Sequence, residues 1–249
     1  MNDAVVQILE KEPDIVQITM NDQVNKNTFS PELTTGVIEA FKIVRASSTY
    51  KVVILTGYGN YFASGGTRDG LLALHEGQGG FDDNNLYSLA LECDIPVIAA
   101  MQGHGIGGGF VMGMFSDFVI FSRESVYTAN FMKFGFTPGM GATYILPKKL
   151  GFSLGHEMLI SARNYRGAEL EIRGCPFRVF PRVQVLEKAW ELAREIAEKP
   201  RFSLVTLKAH LVASLREQLP DIIAKELVMH AKTLPQTEVR ERIMKLFGN

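Results

Sequence analysis

The sequence predicts an α/β fold with largely parallel strands, and three observations carry that expectation. Short apolar runs at Val52–Leu55, Val97–Ala100 and Phe118–Phe121 read as buried strands, because strands covered on both faces lose the alternation of apolar and polar residues. Segments of helical periodicity lie between them, and strand alternating with helix is the pattern of a parallel sheet. Two of the strands run directly into turns of small residues, Phe62-Ala63-Ser64-Gly65-Gly66-Thr67 and Gly103-His104-Gly105-Ile106-Gly107-Gly108-Gly109. Turns at strand ends in open α/β sheets are where ligands sit.

The elements follow in order. Val5 to Leu9 and Ile15 to Met20 alternate as strands and suggest a hairpin. Ser30 is a helix cap with Pro31 in the first turn, and Leu33, Val37, Phe41 and Val44 form that helix's buried stripe. After the first small-residue turn, Arg68 to Asp83 carries Gly70, Gly77, Gly79 and Gly80 and reads as a mobile loop, a candidate lid. From about Val183 the chain is helical: Gln184 to Glu198, Ser203 to Leu215, Ile222 to Leu234, and a short last helix from Glu238 to Leu246. Helices in series bury little alone, so they are expected to pack on the main domain or on a neighbouring subunit.

Composition bounds the function. The 249 residues, 46% hydrophobic and with a net charge of −1, describe an ordinary globular protein with no basic excess for nucleic acid. Cys93 and Cys175 are isolated and lack metal-ligand spacing, which points to a reducing, cytoplasmic setting. The start, Met1-Asn2-Asp3-Ala4, lacks a charged leader region, and no run reaches membrane-spanning length. Lys148-Lys149 and the Arg163 to Arg182 region are candidates for a basic patch that meets an acidic partner; a solvated charged face is the other reading.

Consecutive glycines at a helix start remove every Cβ that would block close approach, so a backbone N–H there can point at a ligand. Two such turns facing one another would make an oxyanion hole, which stabilises an oxygen that gains charge during reaction. Tight turns with close packing are the alternative. Neither turn is followed by the Gly-Lys-Ser/Thr of a phosphate loop.

The motifs Phe62-Ala63-Ser64-Gly65-Gly66, Pro96-Val97-Ile98-Ala99-Ala100, Gly105-Ile106-Gly107-Gly108-Gly109 with Asp117 after it, and Thr137-Pro138-Gly139-Met140-Gly141-Ala142-Thr143 occur in this order over essentially the whole chain. The chain resembles the crotonase (enoyl-CoA hydratase/isomerase) superfamily. The resemblance implies a crotonase (ClpP-like) spiral of ββα repeats over residues 1–182 and a C-terminal helical trimerisation region over 183–249, giving a homotrimer or dimer of trimers. It also implies that the N–H groups of Gly66 and Gly108 hold a thioester oxygen, with Ala63, Ser64, Gly65 and Gly107 framing it. The hydratases of the family carry two glutamates that handle water; the matching positions here are Val111 and Phe131, which cannot move a proton. Hydration by that route is therefore not expected. Enolate chemistry that needs no water, such as decarboxylation of an acyl thioester, fits what remains.

A finer likeness, carried by Asn60 to Thr67, Met101 to Gly105, Tyr127 to Lys133 and Phe136 to Gly141, is to the β-branching decarboxylases of polyketide assembly lines. It implies loss of CO2 from a 3-methylglutaconyl thioester on an acyl carrier protein, giving a 3-methylcrotonyl-type thioester. The acyl group would ride on phosphopantetheine or CoA, with no metal or redox cofactor. That branch uses a C-terminal-helix histidine, matched by His230, and a loop lysine, whose place is taken here by Gly80. Either the cation is dispensable here, or Arg68 or Lys133 takes its place, or the site is altered or impaired.

His230 shares a helix face with Ile223, Leu227 and Leu234, where a histidine is either a packed core residue or, with the resemblance, the group that handles the proton or the carboxylate. His104 is expected to be a hydrogen-bonded turn residue, and His75, His156 and His210 to lie on the surface. Tyr87 is placed on a helix facing the site, with core packing as its default role. Two further functions stay open: an enoyl-thioester isomerase using the same oxyanion hole, and a degenerate crotonase that binds a carrier without chemistry.

Overall fold

A computed structural model of the chain describes residues 4–78, 80 and 85–248. Among the described residues, ten strands divide between two sheets, and the division follows a repeat. Strands β3 (Val52–Thr56), β5 (Val97–Met101) and β7 (Phe118–Ser122) lie side by side in a six-stranded sheet with β1 (Val6–Glu12), β2 (Ile15–Met20) and β10 (Arg178–Phe180), in the order β1-β2-β3-β5-β7-β10. Each is followed by a three-residue strand of the second sheet: β4 (Tyr61–Ala63), β6 (His104–Ile106) and β8 (Val126–Thr128). A helix then closes each turn: α2 (Arg68–His75), α4 (Gly108–Met114) and α5 (Phe131–Phe134). This is the expected spiral of ββα turns. The central strands pair in parallel, and β3 and β5 are buried at every residue. The first hairpin forms as expected, with β1 (Val6–Glu12) antiparallel to β2 (Ile15–Met20).

Two layers of helix cover the large sheet. Helix α1 (Pro31–Ala46) begins where Ser30 Oγ accepts the Leu33 N–H, and it buries Leu33, Val37, Phe41 and Val44. On the other face, α9 (Arg182–Ala197) lays Val185, Ala189, Trp190 and Ala193 against Ile15, Ile54, Ile98 and Ile120. The first of the C-terminal helices is thus part of the sheet's own core.

Three expectations need correction. The segment from Arg68 does not start a loop: Thr67 Oγ1 accepts the Gly70 N–H and starts α2, which runs to His75. Of the suggested lid, residues 79 and 81–83 lie outside the described residues. The helices expected at Ser203–Leu215 and Ile222–Leu234 are one helix, α10 (Arg201–Thr233), running through Pro220. Proline removes one intrahelical hydrogen bond, but the neighbouring Leu219 is buried, and that packing carries the helix across the interruption. Finally, Tyr87 lies in the turn before α3 (Leu89–Glu92) rather than on a helix.

A buried ion pair locks α10 to the spiral. Lys208 Nζ donates to Asp117 Oδ2 at 2.7 Å and to the carbonyls of Ala90 and Ile95. The same carboxylate oxygen accepts the Val97 N–H at 2.8 Å, at the start of β5. Lys149, half of the suggested basic patch, also turns inward, onto the carbonyls of Ser116 and Asp117.

Candidate active site

The two small-residue turns meet. β4 pairs in parallel with β6, so the turn after each strand emerges at the same end of the small sheet. Gly107, the residue just before α4, has φ +52, and a Cβ there would also sit 2.6 Å from Asn130 Oδ1; both facts favour glycine. Gly109 is required by proximity, since a Cβ on it would lie 2.2 Å from the Ala63 carbonyl oxygen. Helix α4 therefore rests directly on the first turn. A Cβ built on Gly65 would be 3.4 Å from Gly108 N, which fixes how closely the two turns approach.

Gly108 is the first residue of α4, where helical N–H groups have no intrahelical acceptor. Among the described residues, no turn or loop hydrogen bond uses the N–H of Gly66 or Gly108. Both residues line one cavity of about 170 Å³. Because α4 is only two turns long, the N–H groups rather than a long helix dipole would act on an anion there.

The rest of the cavity is apolar. Phe131 and Phe134 enter from α5, Phe136 and Met140 from the segment after it, and Leu246 and Phe247 from the end of α11 (Thr237–Phe247). Phe247 stacks on Phe134 at 5.6 Å between ring centroids. Ser64 and Asn130 are the polar side chains, Tyr87 adds a phenol, and no carboxylate or cation is among the described lining residues. Burial pushes the Tyr87 phenol well above its ordinary value, so it stays protonated.

The residues singled out from sequence separate into groups. Ser64, Gly65, Gly66, Gly107, Gly108 and Phe131 line the cavity. Ala63 and Val111 are fully buried beside it without lining it. Lys133 faces solvent: on a one-turn helix whose first and fourth residues, Phe131 and Phe134, point inward, the third must point out. Arg68 is half-buried and does not line the cavity; its guanidinium reaches Met244 Sδ on α11 at 3.6 Å. Gly80 is half-buried and brings no side chain to the site.

His230 is 5% exposed and stands at the cavity's wall rather than on its surface. It packs edge-on against Phe136, which does line the cavity, at 5.5 Å between centroids. Its Nδ1–H donates to the Thr137 carbonyl at 2.5 Å; a carbonyl only accepts, so Nε2 is the nitrogen that titrates. Burial holds the imidazole below its ordinary value, partly opposed by the Thr137 hydrogen bond. His104 accepts the Val126 N–H at Nδ1, the structural role expected of it. His156 and His210 are exposed as expected, whereas His75 is half-buried and bonds the Leu234 carbonyl at 2.7 Å.

Glu226 went unnoticed in the sequence. It lies one turn before His230 on α10 and is 3% exposed. Its carboxylate accepts the N–H of Gly141 at 2.6 Å, the N–H of Thr143 at 2.7 Å and the Thr143 hydroxyl. It therefore caps α6 (Ala142–Leu150) from outside and holds the Gly139-Met140-Gly141 turn against the site. A carboxylate four residues before a histidine on an apolar face was the available signal. Tyr87 and Met140 were underrated because nothing local marks a residue as lining a cavity built from distant segments.

Two glycine turns that meet at one cavity, on a spiral of ββα turns, define the class. The chain belongs to the enoyl-CoA hydratase/isomerase family, whose model matches residues 10–247. It is 64% identical, over all of both chains, to the bacillaene synthase decarboxylase PksI of Bacillus subtilis (strain 168). Among solved structures it resembles one from a dehydratase/decarboxylase enzyme couple involved in polyketide beta-branching. That match has a TM-score of 0.97 and 64% identity, covering 98% of this chain and 100% of the other. The ECH2 decarboxylase domain of CurF from Lyngbya majuscula matches with a TM-score of 0.95 at 48% identity, again over 98% and 100% of the two chains.

Proposed function

We propose that the chain removes CO2 from a 3-methylglutaconyl group held as a thioester on the phosphopantetheine of an acyl carrier protein, leaving a 3-methylcrotonyl-type thioester. One observation supports this reading beyond the likeness to decarboxylases: Gly66 and Gly108, whose N–H groups no described turn or loop hydrogen bond uses, line a cavity whose described lining holds no carboxylate. Such a site stabilises an enolate and has nothing with which to activate water.

The step balances within that site. The bond between the terminal methylene and the carboxyl carbon breaks, and its electron pair moves through the conjugated double bond onto the thioester oxygen. The N–H groups of Gly66 and Gly108 take up that charge, and one such donor is worth about 10²–10³ in kcat. The apolar walls strip water from the leaving carboxylate, which raises its energy relative to CO2. A proton then reaches the terminal carbon and the oxygen returns to a carbonyl, so one CO2 leaves and one proton enters.

His230 supplies that proton in this reading. With Nδ1–H committed to Thr137, the imidazolium donates from Nε2, and the lowered value makes it a stronger acid than a free imidazolium. Phe136 has to shift for Nε2 to meet the substrate. Lys133, on the outer face of α5, is suited to the acidic surface of a carrier rather than to the acyl group. The chemistry draws on no metal or redox cofactor. Exposed Phe202, Leu207 and Leu211 on α10 support association with another copy, for which the family likeness suggests a homotrimer or dimer of trimers.

The test sets two reactions side by side: CO2 release from carrier-bound 3-methylglutaconyl thioester, and hydration of crotonyl-CoA. CO2 release without hydration is expected, with a sharp fall in His230→Ala at unchanged fold. Hydration without CO2 release, or double-bond migration in a substrate lacking the distal carboxylate as the sole activity, would overturn the reading.

A further inference from the structure

The segment from Thr137 to Gly141 reaches the cavity through Met140, whose Sδ would lie 3.4 Å from a Cβ built on Gly108. It has little hold of its own. Gly139 and Gly141 lose the most backbone freedom on ordering, and Gly141 has φ +82. Among the described residues, no backbone-to-backbone hydrogen bond engages residues 137–140. The segment's backbone is tied instead to side chains of α10. Thr233 Oγ1 accepts the Thr137 N–H at 3.1 Å, and His230 Nδ1–H donates to the Thr137 carbonyl. Glu226 holds the other end, taking the Gly141 N–H on one oxygen and the Thr143 N–H on the other. Positions 226, 230 and 233 follow i, i+4, i+7 spacing, so one face of one helix grips both ends.

We propose that Glu226 is a positioning residue for His230: by anchoring Gly141 and Thr143 it fixes the Thr137 carbonyl, and that carbonyl fixes the orientation and tautomer of the imidazole. The inference rests on the decarboxylase reading, in which His230 donates its proton from Nε2. Three residues separate Thr137 from Gly141, and Pro138 fixes one of the intervening φ angles, so a shift at Gly141 reaches the Thr137 carbonyl. Three donors converge on Glu226, the two N–H groups and the Thr143 hydroxyl, and a carboxylate can meet all of them because it only accepts. Without it the segment is held at one end. The Nδ1–H then loses a fixed acceptor, and the neutral ring populates both tautomers. Proton transfer to the terminal carbon starts from a misaligned ring, while Gly66 and Gly108 stay in place.

Nitrogen-15 spectra of the histidine rings read this directly, with the His230 signals assigned by their loss in His230→Phe. Native protein should show the neutral ring protonated at Nδ1 alone. Glu226→Ala, measured well below its unfolding temperature, should show a second tautomer with the proton on Nε2. Its kcat for CO2 release should fall about 100-fold, with KM for the loaded carrier within about threefold. Glu226→Gln turns an amide N–H toward one of the donors it must accept, so it should show the second tautomer more weakly and an intermediate kcat. It carries the test if Glu226→Ala does not fold. Gly113→Ala controls for lost stability alone and should keep the single tautomer. A folded Glu226→Ala with one tautomer, or with native kcat, would overturn the proposal. A second tautomer in Glu226→Ala, with no CO2 release from native protein, would remove the decarboxylase reading and keep the hold of Glu226 on His230.

Discussion

Adding a single methyl at Gly109 should separate the two donors without touching either. A Cβ there would lie 2.2 Å from the Ala63 carbonyl oxygen and 2.5 Å from its carbon. Carbon–oxygen contacts relax to about 3.3 Å, so α4 and the first turn must part by about 1 Å. These two atoms, and the Ala63 Cβ at 2.7 Å, are fixed by the backbone and cannot rotate away. Gly108 adjoins the substituted residue and Gly66 follows Ala63 by three, so the gap opens between the groups that share the oxyanion. A misplacement of that size costs about 10²-fold in rate, similar to the loss of one oxyanion donor. The expected result for Gly109→Ala is a fall in kcat of about 100-fold, with about 1–3 kcal/mol lost in stability from overpacking. Gly113→Ala on the same helix is the companion variant. Its Cβ would meet Met101 Sδ at 2.8 Å and Phe62 Cε1 at 3.0 Å, side-chain atoms that can give way. It should lose stability in the same range while keeping kcat. Initial rates of CO2 release and thermal unfolding of both variants decide the matter. Native turnover in Gly109→Ala, or an equal loss of turnover in Gly113→Ala, would refute the reasoning.

Three other perturbations follow from the same geometry. Lys208→Met removes the partner of Asp117, whose side chain is 16% exposed, and should cost up to about 3–5 kcal/mol in denaturant unfolding, since a largely desolvated charge loses its compensation; a cost near zero would mean that the pair does not lock α10. Glu226→Ala strands the N–H of buried Gly141 and should cost about 1–3 kcal/mol for it, the exposed Thr143 being able to turn to water, whereas Glu226→Gln, which can still accept, should cost less. His230 and His104 both have folded values below the ordinary 6.5. The unfolded chain therefore binds more protons below that pH, so stability should be lost as pH falls from about 6.5 through the folded values. An acid titration of the unfolding free energy should show this slope, reduced in His230→Phe; an unchanged slope would exclude His230 as its source.

Much of the fold was legible because the signals are local. Buried strand runs, the Ser30 cap with Pro31 and the glycine turns each state their geometry over a few residues. Asp117 was legible as part of a motif, but its partner Lys208 was not, since a pair ninety-one residues apart leaves no local trace. The merging of two helices through Pro220 was hidden for a related reason: proline's local penalty is visible in sequence, and the tertiary packing that outweighs it is not. At the site, the paired glycines and the apolar replacements Val111 and Phe131 could be read directly. That Phe131 reaches the cavity while Val111 lies beneath it depends on where α4 and α5 settle. Lys133 shows the limit most clearly, because a single turn of helix directs it away from the site that its neighbours form.

Intact-mass analysis of carrier protein loaded with a 3-methylglutaconyl group tests the central claim most directly. Incubation with this protein should shift the loaded carrier down by the mass of one CO2, and the shift should vanish in Gly109→Ala on the same timescale. A carrier that binds yet keeps its full mass, or gains the mass of water, would contradict the account.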